Sequence, residues 1–365
     1  MGKVNDYAFI NAKLRARLGQ MKESHLFDDM IKASSLSEAM ALLKDTRHSS
    51  LSSVYEATGD LEQVELSLLE EEISTYREIC SYLKGEARKV VEVLLEKTEC
   101  ENLKNAFRLW YSMKVRNHSM TYRASYIYKG EIVHKIDYDR IINSRTYDDV
   151  LSALLKTPYY DVFRKFTIED LSESGLFFLE IALDHLFFDH LFSECAKLSP
   201  EDREEAEMIY NVDVDLKNIL LYIRYAFYHH LGADDLEKVL IPYGYIYQHM
   251  HRAHIFSLPG KGEEKVRSIV AARYGDLLDE IDAIRKGDDE LTGSDENASH
   301  ILAIENYLAN TRKKEYARIL RGKPFSIGVT LSYLYSYKDD ERILRAILSA
   351  KSYGWREDKI REALK

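Results

Sequence analysis

The chain has 365 residues, 45% hydrophobic and 31% charged, the composition of a folded globular protein of two or three domains. Its 51 basic and 61 acidic residues leave a formal net charge of −10. That speaks against general nucleic-acid binding and against adhesion to anionic lipid by bulk charge, both of which need an excess of Lys and Arg.

Only 5 prolines and 16 glycines punctuate the chain, so long helices are free to run. The three cysteines, Cys80, Cys100 and Cys195, are odd in number and form no C-x-x-C pair. They argue against a disulfide framework or a zinc ribbon and predict buried, reduced thiols in a cytoplasmic protein. The opening MGKVNDYAFINAKLRARLGQ lacks the apolar core of a signal peptide, and Asp6 stands where a myristoylation motif needs Ser or Thr. Tyr7, Ile10, Leu14, Leu18 and Met21 recur at helical spacing and predict a helix over 6–30. A short amphipathic helix follows over Ser35–His48, then a helix over 61–83 ended by Gly85, then another over 90–115. These make a first domain, 1–115, of helices only.

Residues 116–141 are rich in Tyr and β-branched side chains around Lys129-Gly130-Glu131, which fits either a short hairpin or an extended connector. The second domain, 116–237, then carries a helix from Thr146, an apolar helix over Gly175–Phe192, and helices over 202–210 and 215–230. The apolar run is long enough for a membrane span. However, Glu180, Asp184, His185, Asp189 and His190 inside it would be costly in lipid, so a half-buried helix and no transmembrane segment are expected. The third domain, 238–365, opens on an aromatic and histidine-rich stretch with a turn at Pro259-Gly260-Lys261-Gly262. A helix over 266–284, an acidic polar loop over 287–299 and two more helices complete it.

The Ser35 helix returns. Thr146–Tyr159 lies 111 residues further on without a gap, matching Ser35 to Thr146, Glu38 to Asp149, Met40 to Leu151, Leu43 to Leu154 and Thr46 to Thr157. Each copy opens with a hydroxyl residue and an acid three positions later, the pattern of a capping box. A second marker, Leu103-Lys104-Asn105, returns as Leu216-Lys217-Asn218 at a spacing of 113. Glu264–Tyr274 resembles the first helix, and Leu344-Arg345 stands in the place of Leu-Lys in a weaker third copy. Two markers in order at similar spacing predict three copies of about 115 residues, each a small domain with its own core.

Candidate sites are few. Asp184, His185 and Asp189 lie near one face of the apolar helix, but a di-metal bundle needs Glu-x-x-His motifs on two helices and only one helix qualifies. Polar groups facing solvent or a neighbouring domain are the plainer reading. His249, His251 and His254, with His229 and His230 upstream, would share a face only on a strand, and no further zinc ligands stand at a defined spacing. No phosphate-binding loop, dinucleotide fingerprint or nucleophile elbow is present, so no catalytic residue, cofactor or metal is assigned. Lys104, Lys217 and Arg345 occupy matching places in the three copies. They are read either as basic residues on an exposed face or as a ring of positive charge that meets an acidic partner.

Several motifs resemble a known family. They are Tyr7-Ala8-Phe9 with Asn11-Ala12, Arg15 and Arg17, then Leu43-Lys44-Asp45-Thr46, and its second copy Leu155-Lys156-Thr157-Pro158-Tyr159. The closing set is Pro324-Phe325, Tyr333-Leu334, Asp340-Glu341, Ile343-Leu344-Arg345, Lys351 and Gly354. Together they resemble the C subunit of the V/A-type rotary ATPases, the family of the eukaryotic d subunit, over nearly the whole chain. Three departures stand out: Arg47-His48 where an aromatic usually follows Thr, Ile343 where Asn102 precedes Leu in the first copy, and a long 287–299 loop.

The resemblance implies an all-α fold of three similar helical domains in a pseudo-threefold funnel. It implies a non-catalytic rotor subunit, a socket between the central stalk, with its D- and F-type subunits, and the membrane proteolipid ring, serving proton or sodium transport. It places the protein on the cytoplasmic face of the membrane, peripheral and held through the complex without inserting. A helical scaffold or adaptor unrelated to rotary motors is the alternative, and a helical metalloenzyme a third.

Overall fold

The computed structural model describes residues 2–23, 25–118, 121–223, 233–255, 262–279 and 294–364, and every regular element among them is helical, with no strand. The chain divides into two compact units, Met1–Leu183 with Pro324–Lys365, and Asp184–Lys323. The last helices therefore share a unit with the first ones.

In the first unit, α1 (Gly2–Glu23) buries Tyr7, Ile10, Leu14 and Leu18. The helix expected to reach Met30 is broken, because α2 (Leu26–Lys32) starts anew after His25. Asp28 and Asp29 in its first turn favour a fresh N-terminus there. Then come α3 (Leu36–Ala41), α4 (Ser49–Thr58), α5 (Leu61–Tyr82) and α6 (Gly85–Lys114). Gly59 closes α4 in the left-handed region at φ 65°, and Asp60 caps α5 by accepting the Glu62 N–H. Only Leu83-Lys84 separate α5 from α6.

The connector after α6 contains no strand among its described residues and only a 3₁₀ turn, Thr121–Tyr126, so it is the extended alternative and not a hairpin. Next come α7 (Tyr138–Asn143), α8 (Tyr147–Leu154), α9 (Tyr160–Phe163) and α10 (Ile168–Ser174). The apolar run forms α11 (Phe177–Cys195), within which the division between the units falls. No helix of the described residues is long and apolar enough to cross a membrane.

The second unit is built on α12 (Pro200–Tyr222), with Ser199 as cap and Pro200 in its first turn. The two helices expected over this stretch are one, because none of Asn211–Val214 breaks a helix. With it go α13 (Ala233–Val239), α14 (Gly244–Arg252), α15 (Gly262–Tyr274) and α16 (Ser294–Arg321). Ser294–Ser299 begins α16, so that part of the expected 287–299 loop is helical, while 287–293 lies outside the described residues. α12 packs on α14 and α16, and Arg312 Nη1 reaches Asp213 at 2.7 Å.

α17 (Ile327–Ser352) and α18 (Glu357–Ala363) return to the first unit. α17 packs on α1, α2, α3 and α5, and α18 on α2. Leu344, Ile347, Leu348 and Ile360 join Met30, Met40, Leu43, Leu51, Val64 and Leu68 in one core. Each such fully buried aliphatic side chain contributes about 1.5–3 kcal/mol, so the two ends of the chain are firmly joined. Asn11 Nδ2 adds a polar tie, donating to the carbonyls of Pro324 and Ser326 at 2.9 Å each.

The 111-residue repeat survives in backbone detail. Ala33 and Ser144 end α2 and α7 at φ/ψ of −52°/139° and −55°/140°. Ser35 and Thr146 then cap α3 and α8 from extended backbone, accepting the Glu38 and Asp149 N–H groups at 3.2 Å. Thr46 and Thr157 each donate to the carbonyl three residues back, Leu43 and Leu154, at 2.8 Å. The boxes differ in one respect. Asp149 accepts the Thr146 N–H and completes its box, whereas Glu38 accepts the N–H of Ser34, one residue early.

Candidate functional site

Three long helices, α6, α12 and α17, each fasten the segment that opens the next copy. The first fastening is Glu99 of α6, fully buried. Its Oε2 accepts the backbone N–H groups of Val133 and His134 at 2.7 Å each. Its Oε1 accepts the Tyr159 hydroxyl at 3.0 Å and pairs with His134 Nδ1 at 2.7 Å. The hydrogen bond to Glu99 raises the His134 pKa against the effect of burial. One turn on, Asn102 donates to the Tyr128 carbonyl and accepts the Tyr128 N–H. Trp110 Nε1 then donates to the Ser144 carbonyl at 3.0 Å.

The second fastening repeats the first with smaller parts. Asp215 of α12, 1% exposed, accepts the Ile246 N–H at 2.8 Å and the Tyr274 hydroxyl at 2.7 Å. Burial pushes its carboxyl up to about 6. Asn218 donates to the carbonyls of Ile241 and Tyr243 and accepts the Ile241 N–H. Gly244 lets the backbone approach: its φ is +82°, and a Cβ there would stand 2.5 Å from Asp215 Oδ1. The aromatic at the end of the repeated helix, Tyr159 in one copy and Tyr274 in the next, thus donates to a buried acid in both.

This geometry corrects the register of the second repeat. Asn102, not Asn105, does the work of Asn218, so the spacing is 116 and not 113. Asn105 is exposed and accepts from Arg108. A slip of three residues stays on nearly the same helix face, which is why Leu-Lys-Asn matches in the wrong frame. The signal that carries the true register is an acid followed three residues later by Asn, Glu99/Asn102 and Asp215/Asn218.

The third fastening uses charge. Arg47 Nη2 donates to Asp340 of α17 at 3.3 Å, and its guanidinium lies over the Tyr337 ring. Its Nε–H donates to His48 Nε2, which turns the His48 Nδ1 toward Glu71 at 2.7 Å. Arg47-His48, the departure noted in the sequence, therefore stands where the other copies use tyrosine. Lys351 Nζ donates to the carbonyls of Ile31 and Ala33, as Trp110 does to Ser144.

Of the predicted basic residues, Lys104 is 4% exposed, not on an open face, and pairs with Glu101 at 2.8 Å. Lys217 is half-buried and paired with Asp184. Arg345 is half-buried, and its charge acts on Glu65 and Glu72 of α5. With the register corrected, Lys104 and Lys217 are not equivalent positions. The histidine and carboxylate clusters are engaged as well: His185 meets the Val239 carbonyl at 3.4 Å and burial lowers its pKa. His249 bonds the Tyr245 carbonyl and His251 faces Glu237, both from a helix and not a strand. His229, His230 and Pro259–Lys261 lie outside the described residues. No three His, Cys, Asp or Glu side chains among the described residues meet as a metal site. Cys80, Cys100 and Cys195 are free and buried, and burial holds the Cys80 and Cys195 thiols at about 12. What this arrangement does is mechanical: buried carboxylates lock the middle of one helix to the backbone of the next segment.

Residues 10–363 match the profile of the ATP synthase (C/AC39) subunit family. The C subunit of the A-type ATP synthase of Pyrococcus horikoshii is 21% identical, over 99% of this chain and 91% of that protein. Its counterpart in Pyrococcus abyssi is 23% identical, over 99% and 90%. That of Methanocaldococcus jannaschii is 24% identical, over 98% and 86%.

Proposed function

The chain belongs to the ATP synthase (C/AC39) subunit family, and on that premise we propose that it is the non-catalytic coupling socket of a V/A-type rotary ATPase. It joins the central-stalk subunits of the D and F types to the membrane proteolipid ring, on the cytoplasmic face, and transmits torque for proton or sodium transport. The observation that carries this reading is the match over residues 10–363, with relatives named as the C subunit of A-type ATP synthases matched over about nine-tenths of their length.

Its physical demands support the reading. A torque coupler needs stiff elements, and α5, α6, α12, α16 and α17 run 22 to 30 residues each. It needs those elements locked to one another, which buried carboxylates such as Glu99 and Asp215 achieve once their donors are in place. Three similar domains arranged as a funnel complete the proposal. Within it, Lys104, Lys217 and Arg345 are the basic residues proposed for the partner face, where an acidic partner would compete for them with Glu101, Asp184 and the α5 acids Glu65 and Glu72.

The test is an affinity pull-down of the tagged protein from membranes in mild detergent, with partners identified by mass. Recovery of a stalk subunit together with a small, very hydrophobic proteolipid is expected. Recovery of neither overturns the assignment and leaves a helical scaffold. Charge reversal at Lys104, Lys217 and Arg345 together is expected to weaken stalk capture, and unchanged capture removes these residues from the partner face.

A further inference from the structure

The third fastening holds a group that the first two do not. Glu341 of α17 is 1% exposed, and neither of its carboxylate oxygens has a well-formed hydrogen bond. The Tyr337 phenol, one turn back, is only a weak polar neighbour. Across the seam, Glu72 of α5 is 2% exposed, and it takes the Thr98 hydroxyl at 2.7 Å and the Lys338 ammonium. The charged and titratable groups that face Glu341 are Glu72 from α5 and Tyr337, Lys338 and Arg345 from its own helix, with the Tyr76 phenol of α5 beside both carboxylates. The Arg47 guanidinium lies on the Tyr337 ring and is engaged with Asp340.

A buried carboxylate so poorly supplied with donors does not stay ionised beside a second carboxylate that has them. Glu99 makes the contrast plain, with two N–H groups, an imidazole and a phenol around it. At the Glu341 seam the strong donors are taken by Glu72. One proton resolves the conflict: it neutralises Glu341 and lets α17 lie against α5.

We propose that the seam between α5 and α17 is a proton-linked latch, closed while Glu72 and Glu341 hold one proton between them and loosened when an alkaline medium removes it. The seam joins the last long helix to the first helices of the chain, so the latch governs how tightly the two ends of the chain are clasped. Burial first, and then the charge of Glu72, push Glu341 up to about 8. Burial works against the charge on Glu72 too, yet Lys338 and Thr98 hold its carboxyl below its ordinary value. The folded chain therefore carries one more proton than the unfolded chain between about pH 4.5 and about 8. Folding weakens as pH rises through that window.

The experiment is guanidinium unfolding of the full chain between pH 5 and 9, for the wild type and for E341Q, which keeps shape and burial without a titratable group. The wild-type folding constant is expected to fall about tenfold per pH unit relative to E341Q across the window. Parallel curves overturn the latch. A second variant, E72Q, frees Lys338 to serve Glu341 and is expected to shrink the alkaline loss, and an undiminished loss overturns the sharing. Should E341Q not fold, the infrared carbonyl band of a protonated carboxyl in the wild type decides. It is expected at about pH 7, where Asp215 has already lost most of its proton, and gone above about pH 9, and its absence at pH 7 overturns the proposal.

Discussion

Glu99 and Glu341 are both carboxylates on long helices, and both are out of water, at 0% and 1% exposure. Their surroundings differ completely. Glu99 meets four donors, two of them backbone N–H groups of a chain turn that this carboxylate satisfies. Glu341 has no such set, because the neighbouring Glu72 has taken Lys338 and Thr98. Burial alone therefore does not tell what an acid does inside a protein. The donors decide whether it is a rivet or a switch.

The comparison breaks most visibly at the rivet. Replacing Glu99 with Ala strands two N–H groups, the Tyr159 phenol and the His134 imidazole. A loss of about 3–5 kcal/mol is expected in urea unfolding, and a loss under about 1 kcal/mol would refute the role given to it. Gly244→Ala attacks the second fastening from the backbone side. Its φ of +82° and a new Cβ 2.5 Å from Asp215 Oδ1 make a loss of about 2–4 kcal/mol the expected outcome. The double variant with Asp215→Ala should cost less than the sum of the two.

The corrected register gives a sharper contrast through smaller effects. Asn102→Ala and Asn218→Ala should each lose about 1–3 kcal/mol, since each leaves backbone groups unpaired. Asn105→Ala, at the exposed position, should change stability by less than about 0.5 kcal/mol. Equal losses at Asn102 and Asn105 would return the repeat to its sequence-matched frame.

The fastenings also differ in their pH dependence. Burial raises Asp215 to about 6, above its value in the unfolded chain, so its share of stability is full below about pH 4 and is lost as pH climbs to about 6. Asp215→Asn should flatten that part of the profile. Asp28 behaves oppositely: Lys32 and Arg361 hold it at about 2, so its contribution is present above about pH 4 and disappears toward about pH 2. It is surface-exposed, and Asp28→Asn should alter only the acid limb, by an amount that salt screens.

Much of this is legible in the sequence. The caps at Ser35 and Thr146, the hydroxyl bonds of Thr46 and Thr157 and the burial of Leu43 and Leu154 follow from local patterns that need no tertiary knowledge. The break before α2 and the continuity of α12 are hard to read because the signals are weak there: an acidic first turn in one case, and no breaker in the other. The partners of Glu99 are out of reach. They are backbone N–H groups at Val133 and His134, and a backbone donor leaves no mark on composition or spacing. Lys104 reads as exposed because charge predicts exposure on average, yet it is buried and paired with Glu101.

The most direct test of the coupling role uses membrane vesicles carrying the whole rotary complex, stripped of this subunit and then given it back. ATP hydrolysis and ion uptake would be followed together. The account predicts that stripped vesicles hydrolyse ATP without ion uptake, and that adding the protein back restores uptake. Ion uptake that persists without it, or hydrolysis that vanishes on stripping and returns with the isolated chain alone, would contradict a non-catalytic coupler.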